Sequence, residues 1–244
     1  MIELVGLTKR FGNFNAVEDL TLLVPAGQIF GLLGPNGAGK TTTLRIMAGL
    51  LAPTRGKVFI DGISLEKEPE KAKRIIGFIP DRPYLYEKLT GLEFMKLTAD
   101  LYQVEDKTFE EKAPSLLKLF SLTPWADELI ESYSHGMKQR LIFCCALLHD
   151  PKVIIVDEPT VGLDPAGIRL LKEILKEKAR KGTTVFISTH SLPFAEATCD
   201  LIGILNRGHI IAKGTLPEIK ERTGLEGGAL EEVFLKLTAG EMEP

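Results

Sequence analysis

The stretch GPNGAGKTT, Gly34–Thr42, constrains this chain more than any other. It has the form G-x-x-x-x-G-K-[ST], with Gly34, Gly39, Lys40 and Thr41 at the fixed positions. It follows an apolar run, GQIFGLLG, and opens a helical one, TTTLRIMAGL, which predicts a strand–loop–helix unit. Glycines there let successive N–H groups turn toward one point, and the helix N-terminus adds partial positive charge. Such a nest takes phosphate oxygens. Gly34, Pro35, Asn36, Gly37, Ala38, Gly39, Lys40, Thr41 and Thr42 are therefore read as a nucleotide-phosphate loop. Lys40 would neutralise the β- and γ-phosphates, and the Thr41 hydroxyl would ligate Mg²⁺.

The rest of the chain alternates in a way that suits this unit. GQIFGLLG, KVFIDG, RIIGFIP, KVIIVDEP and TTVFISTH are strand-like, and the runs at Ile154 and Phe186 are apolar on both faces, as buried parallel strands are. Between the last two, Ala166–Lys181 places Ile168, Leu171 and Leu175 at helical spacing. The expected fold is α/β, with a mainly parallel sheet and right-handed crossovers. The first sixty residues mix short strands and turns and read as an antiparallel β subdomain. About 85–150 reads as an inserted helical subdomain. Leu201–Gly214 reads as a hairpin, and about 215–244 as a helical tail with Leu230, Val233, Phe234 and Leu237 on one face.

Bulk properties exclude several classes. A net charge of −3, without a long Lys/Arg run, gives no footprint for nucleic acid. The N-terminus MIELVGLTKRF lacks the apolar stretch of a signal peptide. The longest uncharged apolar run, Leu141–Leu148, falls far short of the roughly 20 residues that span a bilayer. Cys144, Cys145 and Cys199 have no metal-ligand spacing and read as reduced core thiols in the cytoplasm.

The run VIIVDEPT ends a buried strand with two carboxylates. Ligands sit at such strand ends. Alternation points Asp157 and Glu158 differently, so Asp157 is assigned to Mg²⁺ and Glu158 to the attacking water. His190 ends the next apolar strand and is expected at the same edge, near a γ-phosphate.

One stretch remains, ESYSHGMKQRL at Glu131–Leu141, which holds polar groups but lacks a nearby acid, base or metal ligand. In order with Gly34–Thr42, VIIVDEP, GLDP (Gly162–Pro165) and His190, it resembles the ATP-binding subunits of ABC transporters over essentially the whole chain. The resemblance implies a phosphate-loop NTPase core in which two ATP-binding domains meet head to tail. Each nucleotide then lies between one subunit's phosphate loop and the other's signature segment. It assigns Ser134 and Gly136 to the partner subunit's γ-phosphate, Phe11 to adenine stacking, and Asp164 to the loop that crosses the interface. Glu158 matches the catalytic carboxylate and His190 the switch histidine. Ser134 also reads as the N-cap of the following helix.

Two positions depart from the family pattern. Asp81 stands where glutamine usually touches Mg²⁺ and links to the permease, and Tyr133-Ser134-His135-Gly136-Met137 stands for Leu-Ser-Gly-Gly-Gln. The resemblance implies an ATP-hydrolysing subunit, peripheral on the inner face of the cell membrane, that powers a multispanning permease. TGLEF and LEEVFLKLT resemble the exporter-type branch. The second ATP-binding subunit is left open as identical or different. The alternatives are a soluble ATPase of the same family acting in assembly or repair, and another phosphate-loop enzyme such as a small-molecule kinase.

Overall fold

Register explains why the functional residues converge. In the computed structural model, which describes residues 1–225 and 228–239, parallel strands place their carboxyl ends on one edge. The chain opens with β1 (Ile2–Phe11) and β2 (Phe14–Val24), then β3 (Ile29–Leu33), and α1 (Lys40–Met47) after the phosphate loop. Next come β4 (Arg55–Ile60), β5 (Ile63–Ser64), α2 (Pro69–Arg74) and β6 (Ile76–Ile79). Three longer helices follow: α3 (Gly91–Leu101), α4 (Asp106–Leu119) and α5 (His135–Leu147). The chain then alternates through β7 (Val153–Asp157), α6 (Pro165–Arg180), β8 (Thr184–Thr189), α7 (Leu192–Thr198) and β9 (Leu201–Asn206). It ends in β10 (His209–Gly214), α8 (Leu216–Thr223) and α9 (Leu230–Ala239).

Among the described residues the main sheet has six strands in the order β10-β9-β3-β8-β7-β6, parallel except for β10. Leu33 pairs with Thr189, Asp157 with Ser188, and Ile79 with Val156. Gly34, Glu158, His190 and Asp81 therefore all leave the sheet at the same edge. Every residue of β3, β7 and β8 is buried, so their continuous apolar runs follow from cover on both faces, by α5 and α6 on one and by α1 with strands β1 and β2 on the other.

The second sheet, β2-β1-β4-β5, is antiparallel. Its first two strands are not short, as the sequence suggests, but 10 and 11 residues long. Register shifts between Leu4 and Leu7 and near Lys9 let the ribbon bend, and Gly6 takes φ 55 at the first of them. Ile2, Leu4, Leu7, Val17, Leu20 and Leu22 still reach one core shared with Phe30 and Phe186, whose rings stack at 5.1 Å.

Helices α3 to α5 lie between β6 and β7. Thr90 caps α3 in a capping box with Glu93, which gives the TGLEF stretch a local role as well. Helix α5 buries seven consecutive residues, Leu141–Leu147, so its apolar run has no polar face to show. A single cluster runs from Met95 and Phe120 through Phe143 to Ile154 and Ile187. Each such Leu, Ile or Phe contributes roughly 1.5–3 kcal/mol on burial. Burial also pushes the thiols up, Cys145 and Cys199 to about 12.

The hairpin between β9 and β10 turns at Arg207 and Gly208, both at positive φ. In the tail, Leu230 and Val233 are buried against Leu33, Ala195 and Ile219, with Phe234 and Leu237 alongside. The parts of the expected tail at 226–227 and 240–244 lie outside the described residues. Among the described residues no helix is long and apolar enough to cross a membrane.

Candidate active site

The loop after β3 is shaped by close backbone approach. Gly39 takes φ 108, and a Cβ there would fall onto the Ala16 carbonyl oxygen. A Cβ on Gly34 would likewise strike the Leu205 carbonyl oxygen. The loop is tied from outside, since Gly208 N–H donates to the Ala38 carbonyl at 3.0 Å. The α1 amide ends and the left-handed Gly37 and Gly39 leave the concavity that the sequence predicts.

Lys40 is buried, and its Nζ donates to the carbonyls of Gly34 at 2.7 Å and Pro35 at 3.0 Å. Burial pulls its ammonium below the ordinary lysine range, opposed by the Glu158 and Asp157 carboxylates. The loop thus holds a partly desolvated cation, a state that an incoming polyphosphate relieves.

Asp157 closes β7, whereas Glu158 stands just beyond it in the left-handed region, so strand alternation does not govern the pair. Asp157 is only 2% exposed. Burial pushes its carboxyl up, the Thr41 and Ser188 hydroxyls oppose that shift, and the charges of Asp81 and Glu158 reinforce it. Its Oδ1 is buried without a hydrogen-bond partner among the described residues. Glu158 sits at φ 49, a conformation that costs a non-glycine residue about 1–3 kcal/mol. Its N–H donates to the Ser188 carbonyl at 2.8 Å. Thr189 Oγ1 donates to its Oε2 at 3.2 Å, and His190 Nδ1 lies 2.9 Å from its Oε1. Strand β8 therefore aims the carboxylate.

Lys40, Glu158 and His190 share one cleft of about 470 Å³, lined also by Phe11, Phe14, Asn36 to Gly39, Thr41, Thr42 and Asp81. Phe11 is 49% exposed with Lys9 Nζ 5.0 Å from its ring centre, so it is not the core aromatic its neighbourhood would suggest. Phe14, Ser188 and Thr189 went unpredicted. Phe14 sits in an ordinary turn context, and the two hydroxyls are reached through strand pairing rather than by a motif.

The donor set suits a hard divalent cation. The orphaned Asp157 oxygen, the Thr41 hydroxyl and the nearby Asp81 carboxylate offer oxygens only. Among the described residues no three His, Cys, Asp or Glu side chains form a complete cage. The oxygen donors match magnesium, which one or two carboxylates and substrate phosphates hold together.

Ser134 and Gly136 do not line this cleft. Ser134 caps α5, accepting from the Met137 N–H at 3.3 Å, and Asp164 caps α6, accepting from the Gly167 N–H at 2.8 Å. The cleft within one chain thus has phosphate-binding, acidic and aromatic groups, while the α5 start is directed elsewhere.

Comparison with known proteins bears on this arrangement. A family model described as ABC transporter matches residues 17–161. The ABC-type transporter ATP-binding protein EcsA of Bacillus subtilis (strain 168) is 37% identical over 238 residues, 98% of this chain and 96% of its own length. A solved ATP-binding subunit of an ABC transporter superposes with a TM-score of 0.93 at 39% identity, covering 97% of this chain and 99% of its own. A dimeric post-hydrolysis structure of the ATP-binding cassette MJ0796, bound to ADP and Pi, superposes with a TM-score of 0.79 at 30% identity. It covers 88% of this chain and 99% of its own.

Proposed function

The chain belongs to the ABC transporter family, and from that premise we propose that it is the ATP-hydrolysing subunit that drives a multispanning permease through head-to-tail dimerisation. One observation carries the reading. Lys40, Thr41, Asp81, Glu158 and His190 surround a single cleft, whereas Ser134 and Gly136 lie outside it. A second copy, or a related subunit, supplies the absent face.

The residues divide the chemistry as follows. Phe11 offers an exposed face to adenine. The loop amides of Gly37 to Thr41 and the Lys40 ammonium hold the β- and γ-phosphates, and Lys40 exchanges its two carbonyl partners for phosphate oxygens. Thr41, Asp157 and Asp81 would hold Mg²⁺, which when bound neutralises charge on the β- and γ-phosphates. Glu158 accepts a proton from the water that attacks the γ-phosphorus, the bond from that phosphorus to the β,γ-bridging oxygen breaks, and ADP and inorganic phosphate leave as Glu158 gives its proton up. Thr189 and His190 keep Glu158 oriented, and His190 meets the γ-phosphate. Ser134 and Gly136 contact the γ-phosphate bound by the partner subunit.

The permease is assigned to the exporter type on the TGLEF and LEEVFLKLT stretches, and the chain to the cytoplasmic face of the membrane. Purification of the tagged chain from detergent-solubilised membranes of its native cell tests this reading. A stoichiometric multispanning protein that stimulates or is powered by ATP hydrolysis supports it. Recovery with soluble partners alone overturns the transport role.

A further inference from the structure

The loop that follows Glu158 is gripped by the start of α5 of the same chain. Val161 N–H donates to the Glu158 carbonyl at 3.2 Å and Leu163 N–H to the Thr160 carbonyl at 3.4 Å, so Glu158 to Leu163 forms two linked turns. Gly162, in the middle, takes φ 78. A Cβ on it would collide with Cδ2 of the His135 ring and lie 2.8 Å from Nε2. A Cβ on Gly136 would lie 2.7 Å from the Gly162 carbonyl oxygen. Two consecutive residues of α5 therefore close on one glycine from two sides. Packed elements of this kind shift between discrete arrangements and do not deform continuously.

We infer, resting on the head-to-tail reading above, that His135 is a positioning residue that couples the two nucleotide sites of the dimer. Ser134 and Gly136 meet the partner's nucleotide, and Glu158 serves the chain's own. The His135 ring and the bare Gly162 backbone link those two faces over a single loop. When the α5 start settles on the partner's phosphate, the ring carries Gly162 with it and fixes the turns that hold Glu158. The usual family pattern has glycine where His135 stands, so in this chain the grip is made by a side chain.

The test measures steady-state ATP hydrolysis for H135A, H135F, G162A and the H135A/G162A pair, with sedimentation of E158Q in Mg-ATP alongside. H135A is expected to lower kcat about tenfold with KM changed less than about twofold, and to bring the Hill coefficient toward one. H135F, which keeps a flat ring against Gly162, should retain most of the rate and cooperativity. The H135A/G162A pair should be no slower than the slower single variant, because both break one contact. An unchanged kcat in H135A overturns the inference, and so do effects of the two substitutions that multiply. If G162A does not fold, the contrast between H135A and H135F decides alone. E158Q that dimerises while H135A behaves as wild type removes the coupling and leaves the shared site standing. E158Q that stays monomeric removes both.

Discussion

Nδ1 of His190 lies 2.9 Å from Oε1 of Glu158, across the edge where β7 and β8 end. The contact joins the proposed base to the residue proposed to meet the γ-phosphate, and the pairing of Asp157 with Ser188 in the parallel ladder brings the two strand ends together. The residues that follow are Glu158 and Thr189, whose hydroxyl reaches the carboxylate, and His190 stands one position beyond the end of β8. Glu158, held at an unfavourable φ of 49, is thus oriented by its neighbour strand.

Replacing His190 with alanine removes that constraint. Turnover should fall roughly 10- to 100-fold, as expected when a reacting group is misplaced by about an ångström. ATP affinity should stay within a fewfold, since Lys40 and the loop amides are untouched. Single-turnover hydrolysis beside equilibrium binding separates the two effects. A loss confined to affinity would remove His190 from the catalytic step.

Lys40 behaves in the opposite way. Its Nζ is buried and bonded to the Gly34 and Pro35 carbonyls, so its charge is ready for phosphate. Lys40→Ala should weaken ATP binding roughly 10- to 100-fold, the value of a charge-assisted hydrogen bond of about 1.5–3 kcal/mol. Calorimetric titration with a non-hydrolysed ATP analogue checks this.

At Gly39 the backbone itself is the constraint. Gly39→Ala places a methyl group on the Ala16 carbonyl at φ 108. Strain and overpacking together should cost about 2–4 kcal/mol and abolish nucleotide binding. Denaturant unfolding of the variant measures the first effect. Wild-type stability there would show that the loop relaxes away from β2.

A separate group sets acid sensitivity. His149 stacks on Tyr102 with ring centres 3.9 Å apart, and its Nε2 lies 3.1 Å from the Ile76 carbonyl, so Nε2 carries the proton and donates. Burial lowers its pKa from 6.5 to about 4. The folded state therefore holds His149 neutral while the unfolded chain takes up a proton below pH 6.5. Stability is fully present above that value and is lost as pH falls toward about 4, by up to about 3 kcal/mol. Urea unfolding across that range should show the loss, and His149→Phe, which keeps the stack, should flatten it.

The sequence carries different parts of this molecule unequally. The phosphate loop is legible because its chemistry is local: four fixed residues and a strand-to-helix transition define it. Asp157 and Glu158 are legible because a buried run must end before charge begins. The lengths of β1 and β2 are hidden, since Glu3, Lys9 and Arg10 face outward and the register shifts break strict alternation. Phe14, Thr189 and the grip of His135 on Gly162 are hidden for another reason. Each acquires its place through pairing or packing with residues far away in the chain, and nothing in its own neighbourhood marks it.

The central claim is that Ser134 and Gly136 complete the partner subunit's nucleotide site, and one measurement addresses it directly. Sedimentation of Glu158→Gln protein, with and without saturating Mg-ATP, reads the assembly while hydrolysis is slowed by roughly 10²- to 10⁴-fold. A dimer that forms only with ATP, and that Ser134→Arg abolishes, is the predicted result. A protein that binds ATP yet remains monomeric at every concentration would contradict the shared site.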